Sequence, residues 1–299
     1  MDPNQLQTFL QTQKEPAVVH AGCKTLYDSI LHHLETRKGA LYGRFGTIEY
    51  QTLMHPSSQS PILERNAGIF PAQGIFLKDW VHEYNQAVQR ATVMAAGWHP
   101  PFQPMELLYI LGQNPQCTLI PLRSLEPYYS PPERMWTNAF AHQRVTFVSS
   151  FADTMALQYQ KKHHIWPNTH EQLLPSSGQY SFVRSYYSPA IAQGQAMWSS
   201  PIQNWKDAIN LLESQVLATN PSIVVLGCGG LAMVLAKRLQ EKNIITIVLG
   251  GAIQILFGIK GHRWLNHDII KTFFNHHWVF PQEHEIPRGS KQIEGGCYW

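Results

Sequence analysis

Ile223-Val224-Val225-Leu226-Gly227-Cys228-Gly229-Gly230-Leu231-Ala232 reads as a strand, a glycine turn and the start of a helix. Its four leading aliphatic residues show no polar alternation, the pattern of a strand buried on both faces. The helix runs on from Gly230 to Lys242, Ile244–Leu249 forms the next strand, and Gly250-Gly251 turns the chain into a further helix at Ala252–Phe257. Strands separated by helices at this spacing are βαβ units, which build a mostly parallel sheet. Just upstream, Ile202–Ala218 is helical, with Trp205, Ile209, Leu212 and Val216 on its inner face.

The first half alternates less regularly. Thr25–Glu35 places Leu26, Ile30, Leu31 and Leu34 on one helical face, and Gly39–Gly46 reads as a short buried strand entering a glycine turn. Glu49–Met54 opens a helix, Pro56 and Pro61 bracket a Ser/Gln-rich loop, and Phe76–Ala96 is the clearest amphipathic helix. Cys117–Leu122, Arg144–Ser150 and Gln179–Tyr187 are strand candidates, and Ala152–Lys162 is helical. Residues 1–20 are polar and Gln-rich, an N-terminal arm or first short helix. Residues 21–299 form a single α/β domain whose mostly parallel sheet is flanked by helices.

Composition narrows the function classes. The 23 Lys and Arg residues against 20 Asp and Glu give a net charge of +3, with no basic run to grip nucleic acid. Charged residues make up 14%, below the roughly 25% of a typical soluble chain. No apolar stretch is long enough for a membrane-spanning helix. Cys23, Cys117, Cys228 and Cys297 are widely spaced, and the N-terminus lacks a signal-peptide pattern. Together these favour a reducing, cytoplasmic setting. The 15 histidines include the adjacent pairs His32-His33, His163-His164 and His276-His277. Adjacent side chains diverge on helices and strands, so a zinc site is not expected from them.

Three segments could hold chemistry. Gly227–Ala232 satisfies G-x-G-x-x-A, in which glycines admit a phosphate and the helix N-terminus supplies N–H groups. The alternative is a tight turn that binds nothing. A dinucleotide site would place an acidic residue at the end of the following strand; that strand ends Val248-Leu249-Gly250-Gly251. This weakens nicotinamide binding and leaves a phosphate or diphosphate open. In the second segment, Gly250-Gly251 and Gln254 are followed by Lys260, Arg263 and Trp264. The cations could neutralise a diphosphate and Trp264 could stack on a base or sugar, or the loop is only solvated. The third, Gly43-Arg44-Phe45-Gly46-Thr47-Ile48-Glu49, puts an Arg and a Glu at the same predicted sheet edge. Glu49 could act as a base, hold a sugar hydroxyl or bind metal, or could simply start a helix. Cys228 sits near a helix N-terminus but has no histidine partner in view, so it reads as a turn-lining residue.

Arg44-Phe45-Gly46-Thr47-Ile48-Glu49 resembles the R-F-G-D-G-E segment of GT-D type glycosyltransferases, single-domain Rossmann-like enzymes that transfer a sugar from a nucleotide sugar. Other pieces resemble uncharacterised proteins of surface-polysaccharide gene sets and large DNA viruses. These are Asn66–Ile69, Leu125–Tyr129, Gly250–Gln254 with Phe257–Gly261, and Glu294–Trp299. The resemblance implies a nucleotide-sugar donor, a glycan or other hydroxyl acceptor, and catalysis by Glu49 and Arg44. Donor binding would then fall to Gly46, Thr47, Gly227, Cys228, Gly229, Gly230, Gly250, Gly251, Gln254, Lys260 and Arg263. The family's D-x-E pair handles metal, and here Thr47 replaces its Asp. Either Mn²⁺ or Mg²⁺ is dispensable and Arg44, Lys260 and Arg263 bear the diphosphate charge, or Asp153 or Asp268 restores the carboxylate. The other readings are a dinucleotide- or S-adenosylmethionine-dependent enzyme on the Gly227–Ala232 turn, or a non-catalytic nucleotide- or glycan-binding protein.

Overall fold

The computed structural model describes residues 3–192, 194–293 and 295–299. In chain order the elements are α1 (Pro3–Thr12), α2 (Pro16–Thr36), β1 (Ala40–Arg44), α3 (Thr47–Met54), α4 (Pro56–Ala67), α5 (Gly74–Arg90) and β2 (Val93–Ala95). Next come α6 (Gln103–Gln113), β3 (Thr118–Ile120), α7 (Leu122–Leu125), β4 (Arg144–Ser149), α8 (Ala152–Tyr159), α9 (Lys162–Ile165), α10 (His170–Leu173) and β5 (Gln179–Arg184). The chain finishes with α11 (Trp205–Ala218), β6 (Ile223–Gly227), α12 (Ala232–Gln240), β7 (Ile245–Val248), α13 (Ile253–Leu256) and α14 (His262–Leu265), joined in places by short 3-10 turns.

The strands make one seven-stranded sheet in the order β3-β2-β1-β7-β6-β4-β5. Every strand pair in it is parallel, so the α/β expectation holds. Side chains on β6 alternate between two cores. Val224 and Leu226 join Trp80, Tyr84, Trp205 and Leu235 on one face, and Ile223 and Val225 join Leu26, Phe147 and Ile255 on the other. This period of two on an unbroken aliphatic run is how a central strand packs against helices on both sides.

The crossover helices sort by face. Helices α5, α11 and α12 bury their apolar stripes in the first core, while α2, α8 and α13 bury theirs in the second. The chain therefore leaves β1 and β6 toward one face and leaves β7 and β4 toward the other. Neighbouring strands that send the chain to opposite faces leave a crevice at their carboxyl ends, where ligands of open α/β sheets bind.

Several expectations change. The N-terminal stretch is two helices: Leu6 is buried, and Gln13 Nε2 donates to Gln103 Oε1 at 2.8 Å. Pro56–Ala67 is a helix and not a loop; Pro56 sits in its first turn, where no N–H is needed, and Pro61 is tolerated inside it. The long Phe76–Ala96 pattern divides at Ala91, because Val93–Ala95 continues the apolar run as the buried strand β2. Pro104 likewise sits in the first turn of α6.

Trp80 on α5 holds the first core to the glycine turn after β6. It is fully buried, its ring centroid lies 5.0 Å from that of Tyr84, and its Nε1 donates to the Gly230 carbonyl at 3.0 Å. Trp80→Ala is expected to cost about 3–5 kcal/mol, read as a lowered denaturation midpoint at unchanged slope.

Candidate functional site

The crevice is a cavity of about 670 Å³, within the usual range for small-molecule sites. Loops following all seven strands contribute to its wall. At the end of β1, Gly46 caps α3 with extended backbone and Glu49 lies in that helix's first turn, where the dipole favours its charge. Glu49 is also 9% exposed and lines the cavity. A Cβ on Gly46 would overlap the Glu49 carboxylate, so the glycine lets Glu49 fold back over the turn.

Two further turns meet here. Gly227 has no space for a Cβ, because Ile253 Cγ2 and the Gly250 carbonyl would lie 2.6 and 2.9 Å away. The turns after β6 and β7 thus pack directly on each other. Gly229 and Gly250 both take positive φ, 58° and 62°, a conformation glycine adopts without penalty. A Cβ on Gly250 would sit 3.8 Å from the Arg44 guanidinium, and one on Gly251 3.2 Å from Arg263 Nη1. Arg44 and Arg263 therefore flank one glycine pair, and the Arg263 Cζ lies 4.2 Å from the Tyr298 ring centroid. Asn66, Ala67 and Gly68 close the wall beside Gly229; in the terminal Glu294–Trp299 piece, Glu294 falls outside the described residues.

The structure adds acids and bases to which the sequence assigns no chemical role, although Glu126 lies in the Leu125–Tyr129 piece noted above. Glu126, after α7, is 7% exposed and lines the cavity, with an oxygen 3.9 Å from Arg44 Nη1. Burial pushes its carboxyl up to about 7 against the pull of Arg44, Arg123 and Arg263. Glu106 lies behind Gly97, 1% exposed, with one oxygen lacking a hydrogen-bond partner among the described residues. Burial raises it to about 7 as well; Arg44 and the Gly97 N–H oppose the shift and Glu49 adds to it. Arg65, Arg123 and His267 also face the cavity. Arg123 and Glu126 follow a strand that the sequence does reveal, so their position past its carboxyl end was the available signal.

Most of the expected residues converge. Arg44, Gly46, Thr47, Glu49, Gly227, Cys228, Gly229, Gly250, Gly251 and Arg263 all line the cavity, and Trp264 joins them. Three do not. Lys260 lies outside it, with its Nζ 5.6 and 6.0 Å from the ring centroids of Phe274 and Phe280 and its N–H on the Val279 carbonyl. Gly230 sits behind the wall under Ile69, and Gln254 is fully buried, donating Nε2 to the Tyr298 carbonyl at 2.9 Å. Burial pushes the Cys228 thiol up to about 12, in keeping with a turn-lining role.

A divalent ion does not fit this cavity. Asp153 is held by Arg184 at 3.0 Å and His284 at 2.8 Å, and Asp268 pairs with Lys271, so neither supplies a carboxylate beside Thr47. Among the described residues, the one close trio of ligand types is Asp153, His284 and Glu285, outside the cavity. Within the cavity, Glu126 is surrounded by Arg44, Arg123 and Arg263, which oppose a cation. The Thr47 hydroxyl is buried and has no partner among the described residues, and a lone hydroxyl is a weak ligand. The adjacent histidines also differ from expectation. His163–His164 and His276–His277 ring centroids are each 3.9 Å apart, and His164 stacks on His277 at 4.6 Å, a surface column away from the cavity.

No family model matches the chain, nor does any curated protein or solved structure.

Because the folded-state value of Glu106 lies above its ordinary 4.5, the folded protein resists its ionisation. Its neutral form stabilises the fold fully below about pH 4.5, and that contribution is lost as pH rises through about 7. Glu106→Gln is expected to be more stable than the parent at pH 8, on the order of 2 kcal/mol, with the gap closing toward pH 4.5. Chemical denaturation of both proteins across that range checks the sign.

Proposed function

We propose that this chain is a glycosyltransferase that moves a sugar from a nucleoside-diphosphate sugar to an acceptor hydroxyl. One observation supports this above the others: Arg44, Glu49, the turns Gly227–Gly229 and Gly250–Gly251, and Arg263 come from distant segments yet line a single cavity at the carboxyl edge of a parallel sheet. In this reading the diphosphate lies against the paired glycine turns, where the backbone allows close approach. Arg44 and Arg263 meet its charge, each with a planar fork suited to phosphate oxygens.

Transfer breaks the bond between the anomeric carbon and the diphosphate oxygen and forms one from that carbon to the acceptor oxygen. Glu49 takes the acceptor proton, and the arginines stabilise the negative charge growing on the departing diphosphate. Holding donor and acceptor in register supplies much of the rate. The charge work falls to guanidinium groups, consistent with the poor fit of the cavity to Mn²⁺ or Mg²⁺.

Thermal shift is expected to show stabilisation by UDP or GDP and by a nucleotide sugar, and none by NAD or S-adenosylmethionine. A stronger response to either of the latter two would favour a dinucleotide or methyl-transfer enzyme, and nucleotide binding without donor hydrolysis or transfer a non-catalytic protein. Glu49→Gln is expected to lower kcat about 100-fold or more with little change in donor affinity; unchanged turnover removes Glu49 as the base. Arg263→Ala should weaken nucleoside diphosphate binding about tenfold or more. EDTA should leave transfer intact, and its abolition would restore a metal role.

A further inference from the structure

We propose that the part of the cavity over the ends of β4 and β5 is the acceptor subsite and that it takes a neutral sugar ring. The proposal rests on the transferase reading and gives that reading an acceptor class.

Strand order lays the cavity out along the sheet edge. The ends of β3, β1 and β7 bring Arg123, Glu126, Arg44 and Glu49 together with the Gly250 turn, and the end of β6 adds the Gly227 turn. The ends of β4 and β5 lie beyond these. From β1 to β5 the edge spans about 19 Å at ordinary strand spacing, long enough to separate two ligands. The β4 and β5 ends contribute Ser149, Ser150, Ser185, Tyr186, Tyr187 and Ser188 to the wall. Among the described residues, the acidic and basic side chains that line the cavity all come from other segments. Besides the four just named these are Lys14 and Arg65 from the N-terminal helices and their linker, and Arg263 and His267 from the C-terminal part. Arg184, at the end of β5, does not line the cavity: it pairs with Asp153, donates to the His284 carbonyl and lies 5.0 Å from the Tyr186 ring centroid, so its charge is met behind the wall.

The hydroxyls here are arranged for further bonding. Trp299 Nε1 donates to the Tyr187 hydroxyl at 3.3 Å, and that hydroxyl donates to Ser150 Oγ at 2.8 Å. Each link uses one donor, so the chain leaves the Ser150 proton for a further acceptor. Ser188 is fully buried and its hydroxyl has no partner among the described residues; such a group is costly unless a ligand or water meets it. Tyr187 and Trp299 rings lie 5.6 Å apart in the same wall. Hydroxyls that both donate and accept, beside aromatic faces and without a formal charge, match a neutral polyhydroxylated ring. A uronate or an amine would meet no charged side chain in this part of the wall among the described residues, the nearby Arg184 being already paired with Asp153.

Saturation-transfer NMR tests this without requiring turnover. The probes are neutral methyl glycosides (gluco, galacto, manno and N-acetylglucosamine forms) and methyl glucuronide, each with and without UDP or GDP. At least one neutral glycoside is expected to receive saturation and the glucuronide none. Ser150→Ala/Ser188→Ala should weaken the neutral glycoside about tenfold while nucleotide affinity stays within about twofold. Tyr187→Phe, a smaller change, should weaken it about threefold by removing the donor to Ser150. Glucuronide binding equal to the neutral sugars, no neutral sugar binding, or unaltered binding in both variants overturns the proposal. Neutral glycoside binding with no nucleotide or nucleotide-sugar binding would instead refute the transferase reading while supporting the neutral-sugar site.

Discussion

The packing of the Gly227 turn on the Gly250 turn is the constraint on which the rest of the site depends. With Ile253 and the Gly250 carbonyl occupying the space of a Cβ at position 227, any side chain there would push β6 and β7 apart at their carboxyl ends. Those strands are central in the sheet, and β7 also pairs with β1. A displacement at this point would carry Arg44 away from Gly250 and open the cavity floor. The glycines therefore act first on sheet geometry, and the bare backbone of the cavity wall follows from the same close approach.

That geometry concentrates charge in a chain with little of it. Glu49, Glu106 and Glu126 are each nine-tenths buried or more, and Arg44 is within electrostatic reach of both Glu106 and Glu126. Removing carboxylates from water is unfavourable unless the charge is met or the group takes a proton. Both routes operate here, since burial lifts Glu106 and Glu126 toward neutrality while the arginines hold the shift back. Perturbed carboxyls in a cleft with cationic partners are characteristic of functional sites as well as of structural ion-pair networks. Their placement at the carboxyl edge of a parallel sheet favours the functional side of that choice.

Much of this is legible from local pattern. Ile223–Leu226 is an unbroken aliphatic run and Ile244–Leu249 one interrupted only by Thr246; each ends at a glycine, and they form β6 and β7. Arg44, Glu49 and Arg263 are recognisable because each stands near a glycine turn after a strand. Other features are hidden for physical reasons. β2 is three residues long and continues the apolar pattern of α5, so periodicity alone gives no boundary. Pro56 and Pro61 read as breakers although the first turn of a helix accepts proline. Lys260 follows the same glycines as Arg263, yet a parallel bridge between Ile259 and Val279 draws it toward Phe274 and Phe280. Glu106 is invisible to local pattern, because its role arises from Gly97 and Arg44, which only the sheet brings near it.

The distance within the Arg44–Glu126 pair bears on how a ligand would enter. At 3.9 Å the contact is an ion pair but too long for a hydrogen bond. Glu126 thus tempers the charge of Arg44 without engaging its guanidinium fork, which stays geometrically available to phosphate oxygens. A close bidentate pair would have to be broken before an anion could bind, at a cost comparable to the strength of the new phosphate interaction. A loose pair avoids that exchange, and it keeps Arg44 upright over Gly250 before a ligand arrives. Thr47 lines the same cavity and adds no charge of its own, so the charge that meets Glu126 is that of Arg44, Arg123 and Arg263.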